Sequence, residues 1–323
     1  MKLSIVIPTF NRPGRLRACL ESLAGQDAAP GDLEVLVCDD GPNEATRRAA
    51  QEFAGGGGPP VRYLGQPHRG VGAARNLGLR RARGTLVAFV ADDYVLHRSY
   101  ARSAIEFFDS RPEAGILRFE VARRGGSLAS AVLHFRYDMY IHSMLADGLS
   151  TGGNGPLRFT YPVPSGGAIF RREVFDRIGP FDESLAVGED TELGCRCRRA
   201  GIEVYYLPRP FVLRVYDAPS FRGSLKQAFG VGWNSYRIKK QYPDCPINAP
   251  RTAPQMTVVP QSLRIFWGKC RQSWRRRKVS ALFFLPLMAL YDYYYVRGWA
   301  RAEAEEGLPR PAAPRSRVST KAG

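Results

Sequence analysis

Apolar runs and helical stripes alternate through the first ninety or so residues of the chain. Residues 3–7, within Leu3-Ser-Ile-Val-Ile-Pro8, form a short apolar strand stopped by Pro8. Leu16, Cys19, Leu20 and Leu23 then recur at helical spacing and predict an amphipathic helix over 15–23. Leu33 to Cys38 is a second apolar run, ending in Asp39-Asp40-Gly41. A helix over 46–53, a Gly-Pro loop over 55–60, a short strand over 61–64 and a glycine-opened helix over 70–82 follow. The fourth run, Leu86 to Val90, lacks polar alternation, as a strand buried on both faces should, and stops at Asp92-Asp93. Strand and helix in strict alternation predict an α/β fold with a parallel sheet and right-handed crossovers.

In open α/β sheets the carboxyl ends of the strands face the ligand crevice. Asp92 and Asp93 at such an end can hold a divalent cation or orient a sugar hydroxyl. Asp is equally at home in turns and helix caps, so the pair alone leaves both readings open. The loop after the first strand lacks G-x-G-x-x-G, and G-x-x-x-x-G-K-[ST] occurs nowhere. The two common phosphate-binding loops are therefore excluded. What remains suits a nucleotide held by base and ribose contacts, with its diphosphate on a metal.

Four motifs carry a resemblance. Ser4-Ile-Val-Ile-Pro-Thr-Phe-Asn-Arg12, Val35-Leu-Val-Cys-Asp-Asp-Gly41, Gly72-Ala-Ala-Arg-Asn-Leu-Gly78 and Ala91-Asp-Asp93 stand in the order found in family-2 glycosyltransferases. Over residues 1–240 the chain resembles these inverting enzymes of the GT-A fold. The resemblance implies that Pro8, Thr9 and Phe10 line a base pocket and that Asp39 bonds the base edge. Arg75 would lie near the nucleotide, and Arg12, Asp40 and Asp92 would complete the nucleotide-binding set. Asp92 and Asp93 match the family's metal motif for Mg²⁺ or Mn²⁺, with Asp93 as the direct ligand. Many members carry a further Asp two residues earlier, where this chain has Val90. Some relatives add a late histidine ligand, and this chain has no histidine after His142.

Farther on, 101–108 is predicted as helix and 115–121 as strand. His134 and His142 are eight residues apart, a spacing open to ligation or to ordinary solvated or core roles. Pro164-Ser-Gly-Gly-Ala-Ile-Phe-Arg171 precedes a helix predicted over 191–200 and opened by Glu189-Asp190. Two acids at a helix N-terminus are explained by the macrodipole alone. Similarity to the acceptor half of the family implies more: Asp190 as catalytic base, with Gly166, Gly167 and Glu189 at the acceptor. Phe229-Gly-Val-Gly-Trp-Asn-Ser-Tyr-Arg237 resembles the mobile loop that closes over the substrates, which would set Trp233 against the acceptor; core packing is the plainer fate of a Trp.

Charge and tail add a location. With 47 Lys and Arg against 30 Asp and Glu, the chain of 323 residues carries +17, which calls for an anionic partner. The basic-aromatic stretch from Ser262 leads into an apolar run, 281–296, interrupted by Pro286 and shorter than the roughly 20 residues a span needs. The expectation is a helix lying on an anionic membrane surface rather than a nucleic-acid site, with a buried C-terminal helix as a further reading. Cys19 and Cys38 fall in apolar contexts as reduced core residues, and Cys195-Arg-Cys197 is too tight for a zinc knuckle. With no signal-peptide pattern after Met1, these features suit a cytoplasmic protein, peripheral on the inner membrane face. The expected division is 1–93 for the nucleotide-sugar half, 94–242 for the acceptor half, 243–302 for connector and interface helices, and 303–323 for a disordered tail. The expected activity is transfer of a sugar from a nucleoside-diphosphate donor, UDP-sugar favoured, to a glycan or lipid-linked hydroxyl. Competing readings are a nucleotidyltransferase on a similar sheet and an inactive basic adaptor.

Overall fold

The computed structural model describes residues 1–124, 157–159, 166–215, 221–245 and 285–307. His134, His142 and the basic-aromatic stretch 262–280 lie outside them. In chain order the elements are β1 (Leu3–Thr9), α1 (Pro13–Ala24), β2 (Leu33–Asp39), α2 (Glu44–Ala54), β3 (Val61–Gly65), α3 (Val71–Arg81), β4 (Leu86–Phe89), β5 (Tyr94–Leu96), α4 (Tyr100–Asp109), β6 (Ile116–Arg124), β7 (Leu157–Phe159), β8 (Ala168–Arg171), α5 (Arg172–Ile178), α6 (Glu189–Arg199), β9 (Val204–Val215), α7 (Phe221–Gln241) and α8 (Leu285–Gly307).

The strands join one sheet in the order β3-β2-β1-β4-β8-β6-β9-β5, with β7 on β9. The first four strands in sequence pair in parallel, as the strand-helix alternation predicts. Beyond β4 the sheet becomes mixed, because β8 runs antiparallel to both β4 and β6 while β6 and β9 are parallel. Helices cover both faces. Ile5, Ile7, Val35 and Val37 pack under α1, α2 and α4 on one side. Val6, Leu36, Phe89 and Phe170 pack under α3, α5 and α6 on the other. Burial on both faces is why these strands read as unbroken apolar runs.

The segment predicted as a mobile loop is helical: Phe229 to Arg237 lies inside α7. Of its two glycines, Gly232 serves close helix packing, while a Cβ on Gly230 would meet nothing within 4 Å. A Cβ on Gly232 would lie 1.9 Å from the Tyr295 carbonyl oxygen, and one on Gly298 would lie 2.0 Å from that of Phe229. The two backbones touch where neither carries a side chain, and Tyr236 meets Trp299 edge-on beside them. Trp233 lies beside Phe229 of its own helix, with the rings tilted at 6.4 Å between centroids. Leu285–Gly307 packs against α7 as the buried-helix reading expects, with Met288, Tyr295, Val296 and Trp299 buried. The helix also continues to Gly307, past the residue where composition placed the onset of disorder.

Gly298→Ala tests this crossing. Alanine favours a helix by about 1 kcal/mol over glycine, whereas a methyl against a backbone oxygen forces the helices apart at roughly 1–3 kcal/mol or more. The clash should win, lowering the thermal midpoint by several degrees in a melting curve; an unchanged or higher midpoint contradicts the close approach.

Candidate active site

The carboxyl ends of β1, β2 and β4 gather the acids of the N-terminal motifs. Thr9 pairs with Asp39 across β1 and β2, and its hydroxyl donates to Asp92 Oδ2 at 2.9 Å. Arg12 Nη1 stands 3.5 Å from Asp92 Oδ1. Asp93 accepts from Arg214 Nε at 3.0 Å through Oδ2, while its buried Oδ1 has no hydrogen-bond partner among the described residues. Asp39 repeats that pattern: Oδ2 accepts from the Tyr63 hydroxyl at 2.8 Å, and buried Oδ1 has no partner among the described residues. A buried polar atom without a partner is rare and asks for a reason. Two of them on carboxylates at one sheet edge fit an incoming donor at Asp39 and a cation at Asp93.

Asp40 differs from its neighbour. Oδ1 accepts from Gln66 Nε2 at 2.8 Å and the Arg69 amide at 2.9 Å, and Oδ2 from the Gly70 amide at 2.8 Å. Both oxygens fasten the loop that opens α3, so this acid is a scaffold for the pocket. Phe10 stays exposed and stacks on His68, with ring centroids 4.3 Å apart. A Cβ on Gly41 would meet the Phe10 ring at 2.6 Å, so Asp39-Asp40-Gly41 admits the aromatic flat against the backbone. Pro8 lies in the same strand end, opposite Cys38.

The second half of the site joins through α3. Arg75 forms an ion pair with Glu189 and sits 5.2 Å from the Phe181 ring centroid. Asn76 donates to the Phe181 carbonyl and to Glu183 Oε1, both at 2.9 Å. Arg75 therefore ties α3 to the start of α6 through Nη1, while its buried Nε has no hydrogen-bond partner among the described residues. Within the acidic pair the roles divide. Glu189 is buried on Arg75, whereas Asp190 is half-buried and, among the described residues, accepts only locally, from the Thr191 amide at 2.8 Å and its hydroxyl. Gly188, at φ +94°, caps α6 without a side chain. At β8, Gly167 has φ +81° and donates its amide to the Phe89 carbonyl, holding the Gly166-Gly167 turn beside the end of β4. A Cβ on Gly166 would lie 3.0 Å from the Tyr94 hydroxyl, so the small residues here accommodate Tyr94.

Burial lifts the carboxyls of Asp39 and Asp92 above the usual range; hydrogen bonds from Tyr63 and Thr9 oppose it, and the adjacent acid adds to it. Burial also raises Glu189, reinforced by Asp190 and countered by Arg75. A carboxyl whose folded pKa is raised loses stability as pH climbs from its unfolded value of about 3.9 through the folded one, and carries the full penalty at neutral pH. Asp92→Asn should thus raise the thermal midpoint of the ligand-free protein at pH 7 by about 2 °C or more, the shift roughly 1 kcal/mol gives in a domain of this size. The gain should shrink toward pH 4. A midpoint lowered at pH 7 rules this out.

Cys19 and Cys38 are buried thiols, as their apolar contexts predicted, with burial pushing both upward. Cys195 instead bonds to Cys245, 50 residues away. The same join is reinforced by Tyr242 donating to Glu192 at 2.7 Å and by Arg199 pairing with Asp244. Disulfides are uncommon in a reducing cytosol, so cysteine usage does not argue for a cytoplasmic site. Among the described residues no helix is long and apolar enough to cross a membrane. Nor does any cluster of three His, Cys, Asp or Glu side chains among them form a closed metal site. Arg214, Tyr63, His68 and Tyr94 escaped the sequence reading. They sit in strands or loops without a motif, and only register brings them to the acids.

A sheet switching from parallel to mixed at β4, with acids at the ends of β2 and β4 and at the head of α6, is the architecture of the GT-A fold. Residues 4–179 match the model of glycosyl transferase family 2, and the chain belongs to that family. It is a glycosyltransferase, which sets aside the nucleotidyltransferase reading. The glycosyltransferase AglE of Haloferax volcanii is 24% identical over 239 residues, 73% of each chain. The pre-mycofactocin glycosyltransferase of Mycobacterium tuberculosis is 28% identical over 243 residues, 75% of this chain and 48% of its own length. This chain thus spans about half of that relative. Among solved structures, the mannosyltransferase PcManGT of Pyrobaculum calidifontis, in complex with GDP-Man and Mn²⁺, superposes with a TM-score of 0.64 at 16% identity, covering 94% of this chain and 88% of the other. TarS of S. aureus, residues 1–349 with UDP, gives 0.53 at 18% identity over 96% and 93%. At these identities the likeness is one of fold.

Proposed function

We propose that the protein moves a sugar from a nucleoside-diphosphate donor, a UDP-sugar, to a hydroxyl of a cell-envelope, polysaccharide or lipid-linked glycan, with inversion at the anomeric carbon. The observation that carries this reading is the pair of buried carboxylate oxygens, Asp39 Oδ1 and Asp93 Oδ1, at the carboxyl ends of the strands and without partners among the described residues. Asp39 offers an acceptor for a base N–H, beside the exposed Phe10 ring. Residues 1–93 hold the donor and 94–242 the acceptor. Asp190 takes the proton of the acceptor hydroxyl as its oxygen attacks, a bond to the anomeric carbon forms, and the bond to the diphosphate breaks on the opposite face. Glu189, fixed by Arg75, holds the head of α6 in place.

Asp93 Oδ1, with Asp92 beside it, would hold Mg²⁺ or Mn²⁺. Such an ion, bound through one or two carboxylates and otherwise through phosphate and water, supplies charge neutralisation for the leaving diphosphate. The +17 charge supports an anionic membrane surface as the working location. Calorimetric titration with UDP and with GDP, with and without Mn²⁺, tests the donor reading. UDP should bind and GDP should bind more weakly; no heat from either nucleotide in any condition refutes it.

A further inference from the structure

Arg214 reaches the acids from the far end of the sheet. β5 and β9 pair antiparallel with Tyr94 opposite Arg214, and the Val215 amide donates to the Asp93 carbonyl at 3.0 Å. That register fixes Arg214 alongside Asp93. Its Nε donates to Asp93 Oδ2 at 3.0 Å, and its guanidinium carbon lies 5.9 Å from the Tyr94 ring centroid. The Asp93 side chain is 3% exposed and that of Arg214 is 34% exposed. On the neighbouring acid Arg12 repeats the pattern, 54% exposed against 5% for Asp92. Each member of the acidic pair therefore comes with an arginine that is more exposed than itself.

We propose that Arg214 is a built-in cation of the donor site, shared between Asp93 and the donor's diphosphate, so that nucleotide binding persists without a divalent ion. The inference rests on the nucleotide-donor reading above. Two bare carboxylates would repel a diphosphate, and the arginines cancel that charge before any metal arrives. A guanidinium stays protonated, and its planar fork of five donors can serve a carboxylate and a phosphate together. The register of β5 on β9 allows little drift, so the charge is preorganised rather than recruited. Asp93 Oδ1 remains for a metal, which then strengthens a site already able to hold an anion. If Arg214 only buttressed Asp93, its removal would weaken the metal's contribution and leave metal-free binding alone.

The experiment is calorimetric titration of UDP into the wild type, Arg214→Gln and Arg214→Lys, in EDTA and in Mn²⁺, with GDP as the control nucleotide. The wild type should bind UDP in EDTA and more tightly in Mn²⁺. Arg214→Gln should weaken binding in EDTA by about tenfold or more, the scale of a lost charge-assisted contact, while Mn²⁺ rescues much of it. Arg214→Lys keeps the charge without the fork; it should fall between the two and serves as the folded control if the glutamine variant melts early. Wild-type binding that requires Mn²⁺, or equal binding of wild type and Arg214→Gln in EDTA, overturns the proposal and leaves the donor reading standing. Failure of the wild type to bind either nucleotide under both conditions removes the donor reading itself.

Discussion

Asp190→Asn is expected to lower the rate of sugar transfer by about 10²–10⁴, the usual contribution of a positioned general base, while UDP binding stays within a few-fold of wild type. The structure separates this residue from its neighbour. Glu189 is buried on Arg75, whereas Asp190 is half-buried and, among the described residues, accepts only from Thr191. An asparagine can still accept the Thr191 amide, so the head of α6 is preserved and folding should not be affected. Its carboxamide cannot take up the hydroxyl proton. Glu189→Gln should act differently, uncoupling α3 from α6 and lowering the thermal midpoint, because it leaves Arg75, 11% exposed, without its counter-charge. Steady-state rates with a saturating acceptor separate the two. Transfer by Asp190→Asn within a few-fold of wild type would falsify the base assignment.

The second large effect is expected at Asp93. Asp93→Asn should abolish the gain that Mn²⁺ brings to UDP binding and reduce transfer by about 10²–10³, the range seen when one charge-stabilising group is removed from a reacting centre. Two changes coincide in this variant. The buried Oδ1, which lacks a hydrogen-bond partner, no longer belongs to an anion, and the Arg214 guanidinium loses the charge it pairs with at 3.0 Å. Asp92→Asn should be milder for the metal, since Asp92 Oδ2 is already engaged by Thr9. Comparing the Mn²⁺ increment in the two variants by calorimetry apportions the work within the pair. Equal increments in Asp93→Asn and wild type would place the cation elsewhere.

The parallel half of the fold was legible because each of its strands is buried on both faces. Leu3 to Thr9 and Leu33 to Asp39 carry no polar alternation that a loop or surface helix could share, and the helices between them keep the period of one apolar stripe. The glycine-rich stretch in α7 misled for a physical reason. Glycine weakens an isolated helix, and Gly230-Val-Gly232 reads as a hinge until α8 is seen packed against it, with Gly298 and Gly232 both at backbone contacts. In the tail, Tyr295, Val296 and Trp299, which are among the apolar and aromatic residues that suggested a membrane surface, are buried in the helix pair. The Cys195–Cys245 bond links positions whose spacing carries no pattern.

By itself the sequence determined which residues could do chemistry. Acids directly after apolar strands have few structural uses in such number, and their order along the chain matched one family. The tertiary structure alone decided how those residues divide the work. Asp39 and Asp40 are adjacent and chemically identical. One keeps a buried oxygen without a partner, and the other is fully engaged by the α3 loop. Glu189 and Asp190 part in the same way, because Arg75 approaches from another helix. Arg214 stands 121 residues from Asp93; only the register of β5 on β9 places it there. Which carboxylate oxygens remain without partners among the described residues follows from contacts made across the fold, which local sequence does not encode.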